Sequence, residues 1–232
     1  MAELDRRYEQ TVGRADEAVI DQGLRSYMLR VYNYMASGVA ITGVVAYAVY
    51  AMSVVTGADG SITGLTAFGS LMYASGFKWV VIFAPLAMVF FLSFKIQSLN
   101  VGTAQALFWL FSALMGASIS SIFLVYAGES IARVFFITAA AFGALSLWGY
   151  TTKKDISGWG SFLFMGLIGI ILAALVNLFI GSTALQFAVS VIGVLVFAGL
   201  TAYDTQQIKE MYDVQDDGTV AGKKAVMGAL RL

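Results

Sequence analysis

The chain has 232 residues, 59% of them hydrophobic and only 12% charged, with no histidine, no cysteine and a formal net charge of zero. A soluble domain carries about 25% charged residues, so this composition is that of a polytopic membrane protein, and it shows no nucleic-acid footprint. The missing cysteine excludes disulfides and thiolate chemistry, and the missing histidine removes the usual general base and pH switch. Carboxylates are left to sense protons.

Residues 1–30 are polar and carry Arg6, Arg7, Arg14, Arg25 and Arg30. They lack the continuous apolar core of a cleaved signal peptide. Ile20, Leu24, Met28 and Val31 recur at helical spacing, which predicts an N-terminal arm whose second half lies along the membrane surface before turning in. A first crossing is expected over residues 31–55, where Gly38, Thr42 and Ala46 form a small-residue ladder suited to close helix contact. The Gly/Ser-rich stretch 56–77 reads as the longest outside loop. A second crossing over 79–94 lies between Lys78 and Lys95 and contains Pro85, where a kink is expected.

A third crossing over 103–126 holds Ser112, Gly116 and Ser120 at i+4 spacing, a second seam read as packing rather than substrate contact. Gly128–Ser130 reads as a tight turn before a fourth crossing over 131–150, with Arg133 near its start. A short basic loop, 151–158, leads into a fifth crossing over 162–180, whose one polar interior residue, Asn177, is expected to bond across helices. The sixth crossing is the apolar run 184–203, which ends at Asp204. The expected organisation is all-α: an arm (1–30), a six-helix membrane domain (31–212), and a turn with the start of a truncated seventh helix (213–232).

Twelve of the fourteen Lys and Arg residues fall on the N-terminal side of these crossings; Lys78 and Arg133 are the exceptions. This asymmetry predicts a cytoplasmic N-terminus. The acidic turn Asp213, Asp216 and Asp217 lacks the ligand spacing and terminal Glu of a calcium-binding EF-hand loop and reads as solvated.

Asp204 admits two readings. It is a boundary aspartate hydrated among headgroups, or an ionisable group held inside protein. The second marks a functional site, because lone burial at a helix centre costs about 2.5–3.5 kcal/mol. Ser–His and Cys–His dyads cannot exist here, nor can the His-Glu-x-x-His zinc motif. Tyr203–Asp204 resembles one half of the aspartyl pair of presenilin-type proteases, and no Gly-x-Gly-Asp supplies the other half. No enzyme activity and no resident cofactor are expected. A lone carboxylate suits a proton or cation pathway, with Ca²⁺ as a hard ion that prefers oxygen.

The blocks LRSYMLRVYNYM (24–35), ALMGASISSIF (113–123), ARVFFITAAAFGALSLWGYTTKKDIS (132–157) and FAGLTAYDTQQIK (197–209) together resemble the Bax-inhibitor-like transmembrane family, the transmembrane Bax inhibitor motif proteins, and are closest to its bacterial branch. The resemblance implies a seven-helix fold around a central last helix, in a bacterial inner membrane. It also implies a pH-sensitive calcium leak gated by two aspartates. Asp204 matches the first, in Tyr-Asp-Thr-Gln; the second is implied beyond Ala229–Leu232, in a Leu-Asp-Phe motif. A cation that holds the pair closed is implied as well, with Lys95 as a candidate. Expected partners are the lipid bilayer, Ca²⁺ and protons. A non-conducting protein that modulates a membrane protease or another membrane protein is the alternative.

Overall fold

The computed structural model describes residues 2–58, 61–126 and 128–232, with side chains from Asp21 onward. Among the described residues, nine α-helices and one hairpin follow in order: α1 (Ala2–Ser53), β1 (Val54–Thr56), β2 (Ile62–Leu65), α2 (Ala67–Gly69) with a π-turn (Ser70–Ala74), α3 (Phe77–Lys95), α4 (Val101–Ile119), α5 (Ile122–Val125), α6 (Gly128–Thr151), α7 (Trp159–Ile180), α8 (Thr183–Glu210) and α9 (Gly218–Arg231). Six segments among the described residues are long and apolar enough to cross a membrane: Asp21–Ser53, Phe77–Lys95, Val101–Val125, Gly128–Thr151, Trp159–Ile180 and Thr183–Glu210. The protein is an all-α polytopic membrane protein with the expected number of crossings. Among the described residues, the strands form one two-stranded antiparallel pair.

Three local expectations need correction. First, α1 continues unbroken through Arg30 and Val31, so no turn separates an arm from the first crossing. Tyr27, Met28 and Val31 are buried, and the Tyr27 hydroxyl donates to the Lys224 carbonyl at 3.4 Å. Their side of α1 thus packs on α9. Periodicity had identified an apolar face but not what covers it, and the side chain of Ile20 lies outside the described residues. Second, the stretch read as an outside loop forms the β1–β2 hairpin, with Val54 opposite Leu65. Third, Gly128–Ser130 is the first turn of α6 rather than a tight turn.

The chain divides into two compact units: Met1–Ile131 with Tyr212–Arg231, and Ala132–Met211 with Leu232. In the first, the two small-residue ladders meet. A methyl group on Gly116 would lie 2.5 Å from the Thr42 carbonyl oxygen, and one on Gly38 would lie 2.9 Å from Ser112 Oγ. Thr42 Oγ1 donates to the Ser112 carbonyl at 2.9 Å. Such close backbones maximise dispersion contact where lipid offers no hydrophobic drive for helices to associate.

Helix α9 starts where Asp217 Oδ1 accepts from Val220 N at 2.7 Å, a side-chain cap on an otherwise orphaned donor. Its Gly222, Ala225, Val226 and Ala229 are buried at the i, i+3, i+4, i+7 positions of one face, packed on α1 and α4.

The second unit comprises α6, α7 and α8. Gly181, at φ +66°, ends α7 in the left-handed region, where a side chain would be strained. Asn177 serves the same turn: its Oδ1 accepts from Ser182 N at 3.0 Å. The expected bond across helices is replaced by a local one, because the start of α8 leaves backbone N–H donors without partners inside the helix.

Candidate functional site

The carboxylate that interrupts the apolar sequence belongs to the last two turns of α8. This helix begins with Ser182, whose hydroxyl accepts from Leu185 N, and closes at Met211. Over residues 199–209 it uses two faces to hold its own unit together. Toward α7, Gly199 meets Leu163 and Tyr203 lies on Gly160, where a methyl group would sit 2.6 Å from the phenol oxygen. Toward α6, a methyl group on Gly149 would sit 2.6 Å from the Ala202 carbonyl oxygen, and buried Thr205 donates to Ser146 Oγ at 3.4 Å.

Successive helical residues are turned by about 100°. With Tyr203 on α7 and Thr205 on α6, Asp204 points away from both. It is half-buried. Ile208, one turn later on the same side, is fully buried.

Gln206 was not singled out by the sequence, yet it is the polar hinge of this region. Its Oε1 accepts from Ile156 N at 3.0 Å and its Nε2 donates to the Lys154 carbonyl at 2.9 Å. One buried amide thus satisfies both a donor and an acceptor of the α6–α7 loop, as a buried polar side chain must. The readable signal was a glutamine two residues after an acid in a helix that had just left its apolar run.

Lys209 donates to the Tyr150 carbonyl at 3.1 Å, with its ammonium 5.4 Å from the Tyr150 ring centroid. It covers a carbonyl at the negative C-terminal end of α6. In the same loop, exposed Asp155 is held below the usual carboxylate range by hydrogen bonds from Ser157.

Of the three residues singled out, Asp204 alone combines ionisable chemistry with partial burial inside a crossing. Asn177 lies at the opposite end of α8, about 30 Å away along the helix, and is committed to the α7–α8 turn. Lys95 is exposed in the last turn of α3, in the first unit. Among the described residues no group of three or more acidic side chains gathers to form a metal cage.

Six apolar crossings and a carboxylate within one of them define an integral membrane protein of the polytopic helical class. Residues 24–232 match the family described as Inhibitor of apoptosis-promoting Bax1, and the chain belongs to that family, as the sequence blocks implied. It is 47% identical over 212 residues to the inner membrane protein YbhL of Escherichia coli (strain K12), a match covering 90% of this chain and 86% of that protein. A Caulobacter vibrioides protein is 44% identical over 235 residues, covering 100% of this chain and 92% of its own length. A Rickettsia prowazekii protein is 44% identical over 212 residues, covering 91% and 84%.

Proposed function

We propose that the protein is a pH-regulated calcium leak of a bacterial inner membrane, with a cytoplasmic N-terminus and with Asp204 as both cation attractor and proton sensor. One observation carries this reading: Asp204 is half-buried on a face of α8 that neither α6 nor α7 occupies. Ionised, the carboxylate draws a hard divalent cation, which keeps most of its other oxygen ligands as water or carbonyl. Protonated, it loses that attraction and donates a hydrogen bond instead. A second carboxylate, as the family resemblance implies, would couple the two protons and sharpen the response. With neither histidine nor cysteine in the chain, the proposed role is passage rather than catalysis, and Ca²⁺ is cargo rather than cofactor.

The test is Ca²⁺ influx into proteoliposomes across a pH series. Asp204→Asn keeps the shape of the side chain and removes its titration. It is expected to reduce flux and to flatten the pH profile. Unchanged flux with an unchanged profile would defeat the assignment and favour a non-conducting role as a modulator of a membrane protease.

A further inference from the structure

Arg25 and Arg30 differ from Lys78, Lys223 and Lys224 of the same unit, each of which has a partner. Lys224 pairs with Asp216 at 2.5 Å, Lys223 donates to the Gln97 carbonyl at 2.9 Å, and the Lys78 ammonium lies 5.6 Å from the Trp79 ring centroid. Arg25 and Arg30 are exposed, and among the described residues neither has an ion-pair partner. Asp21 lies one turn before Arg25 without pairing with it.

The two arginines border a shallow, open cleft of about 460 Å³ along the surface of α1, lined between them by Gln22, Ser26, Leu29 and Asn33. At 100° per residue, those four side chains fall between the two arginines around the helix. The guanidiniums thus flank a stripe of amides and a hydroxyl, with Leu29 the one apolar member. This is a donor-rich lining with two fixed positive charges, suited to a phosphate group.

The depth of the cleft is set by the sequence. Residues 31–53 of α1 contain no charged residue, and 23 residues at 1.5 Å each span about 34 Å, the thickness of a hydrocarbon core. Arg30 therefore stands at the edge of the apolar layer and Arg25 about 7 Å beyond it, the zone of lipid phosphates.

We infer that this cleft on α1 binds the phosphodiester headgroup of an anionic phospholipid. A lipid is favoured over free phosphate because the cleft opens where headgroups are concentrated and because Leu29 offers an apolar contact to the glycerol and upper chain. The site is independent of Asp204, and its readout is binding rather than flux.

The test uses the full chain in a neutral detergent, with lipid occupancy counted by native mass spectrometry. It is titrated with phosphatidylglycerol, with phosphatidylcholine of the same acyl chains, and with inorganic phosphate. A cation near a membrane surface is worth about a factor of five, so Arg25→Gln with Arg30→Gln is expected to weaken phosphatidylglycerol binding roughly thirtyfold. Phosphatidylcholine, whose choline offsets the charge of its phosphodiester, should bind the parent more weakly and lose less in the variant, and Arg25→Lys with Arg30→Lys should restore most of the lost phosphatidylglycerol binding. Lys153→Gln with Lys154→Gln, in an exposed loop of the other unit, controls for net charge and should have no effect. An equal preference of the parent for both lipids would overturn the proposal, as would an unaffected double glutamine variant or failed rescue by lysine. Displacement of phosphatidylglycerol by millimolar inorganic phosphate would overturn the lipid assignment in favour of a free anion.

Discussion

The two units solve the same packing problem over different lengths. In the first, contacts follow α1 from Tyr27 on α9, through Gly38 and Thr42 on α4, to Tyr47 and Tyr50 on Phe123. The helix is seamed along its whole crossing. In the second, the close approaches crowd toward one end: Gly149 on Ala202, Gly160 on Tyr203, Gly166 on Val196 and Gly199 on Leu163. Toward the α7–α8 turn the side chains are bare, with Leu178, Phe179 and Phe187 exposed at 79%, 91% and 72%, a surface suited to lipid. The difference teaches that small residues mark where helices must touch, and that α8 is held most firmly beside Asp204.

The strongest way to break this comparison is to add bulk at each seam. Gly116→Val in the first unit and Gly149→Val in the second push a methyl group against a backbone oxygen, which cannot move aside as a flexible side chain can. Each is expected to cost about 3 kcal/mol, read as a lowered thermal midpoint in detergent. Gly169, whose Cβ would meet nothing within 4 Å, should accept valine with a far smaller change. Equal losses at all three positions would mean that the seams are not what holds the helices.

A sharper probe of the second unit is Gln206→Leu. It leaves Ile156 N and the Lys154 carbonyl without their partner, and an unpaired buried group costs about 1–3 kcal/mol. Trypsin should then cut faster after Lys153 and Lys154, while cleavage after Lys223 and Lys224 stays unchanged. The smallest effect is expected from Thr42→Val, which removes one bond across the first seam. Such bonds average about 0.6 kcal/mol in membranes, so the midpoint should move by only a degree or two.

Much of this was legible in the sequence, and what was not has physical reasons. The six crossings follow from apolar length alone, and both ladders of the first unit were visible as i+4 repeats of Gly, Ser, Thr and Ala. Met28 and Val31 also showed as a periodic face, but an apolar face suits lipid, a membrane surface or another helix equally well. Only the position of α9 decides between them. Asn177 and Gln206 were harder still, because each is defined by backbone groups it satisfies rather than by its own chemistry. Asp204 stood out because charge inside a crossing is costly; its neighbours Thr205 and Gln206 were hidden beside it because they are polar without being charged.

The β1–β2 hairpin shows how the first crossing can stop at its far border. Thr66 N donates to the Ser53 carbonyl at 3.0 Å and Thr66 Oγ1 donates to the Met52 carbonyl at 2.8 Å. Two of the last oxygens of α1 are thereby answered by Thr66, the residue just past β2 that caps α2, instead of by solvent. The chain carries its own stopper for a helix mouth, so the register of that end against the lipid is set by a threonine thirteen positions downstream of Ser53 and does not depend on how deeply water reaches.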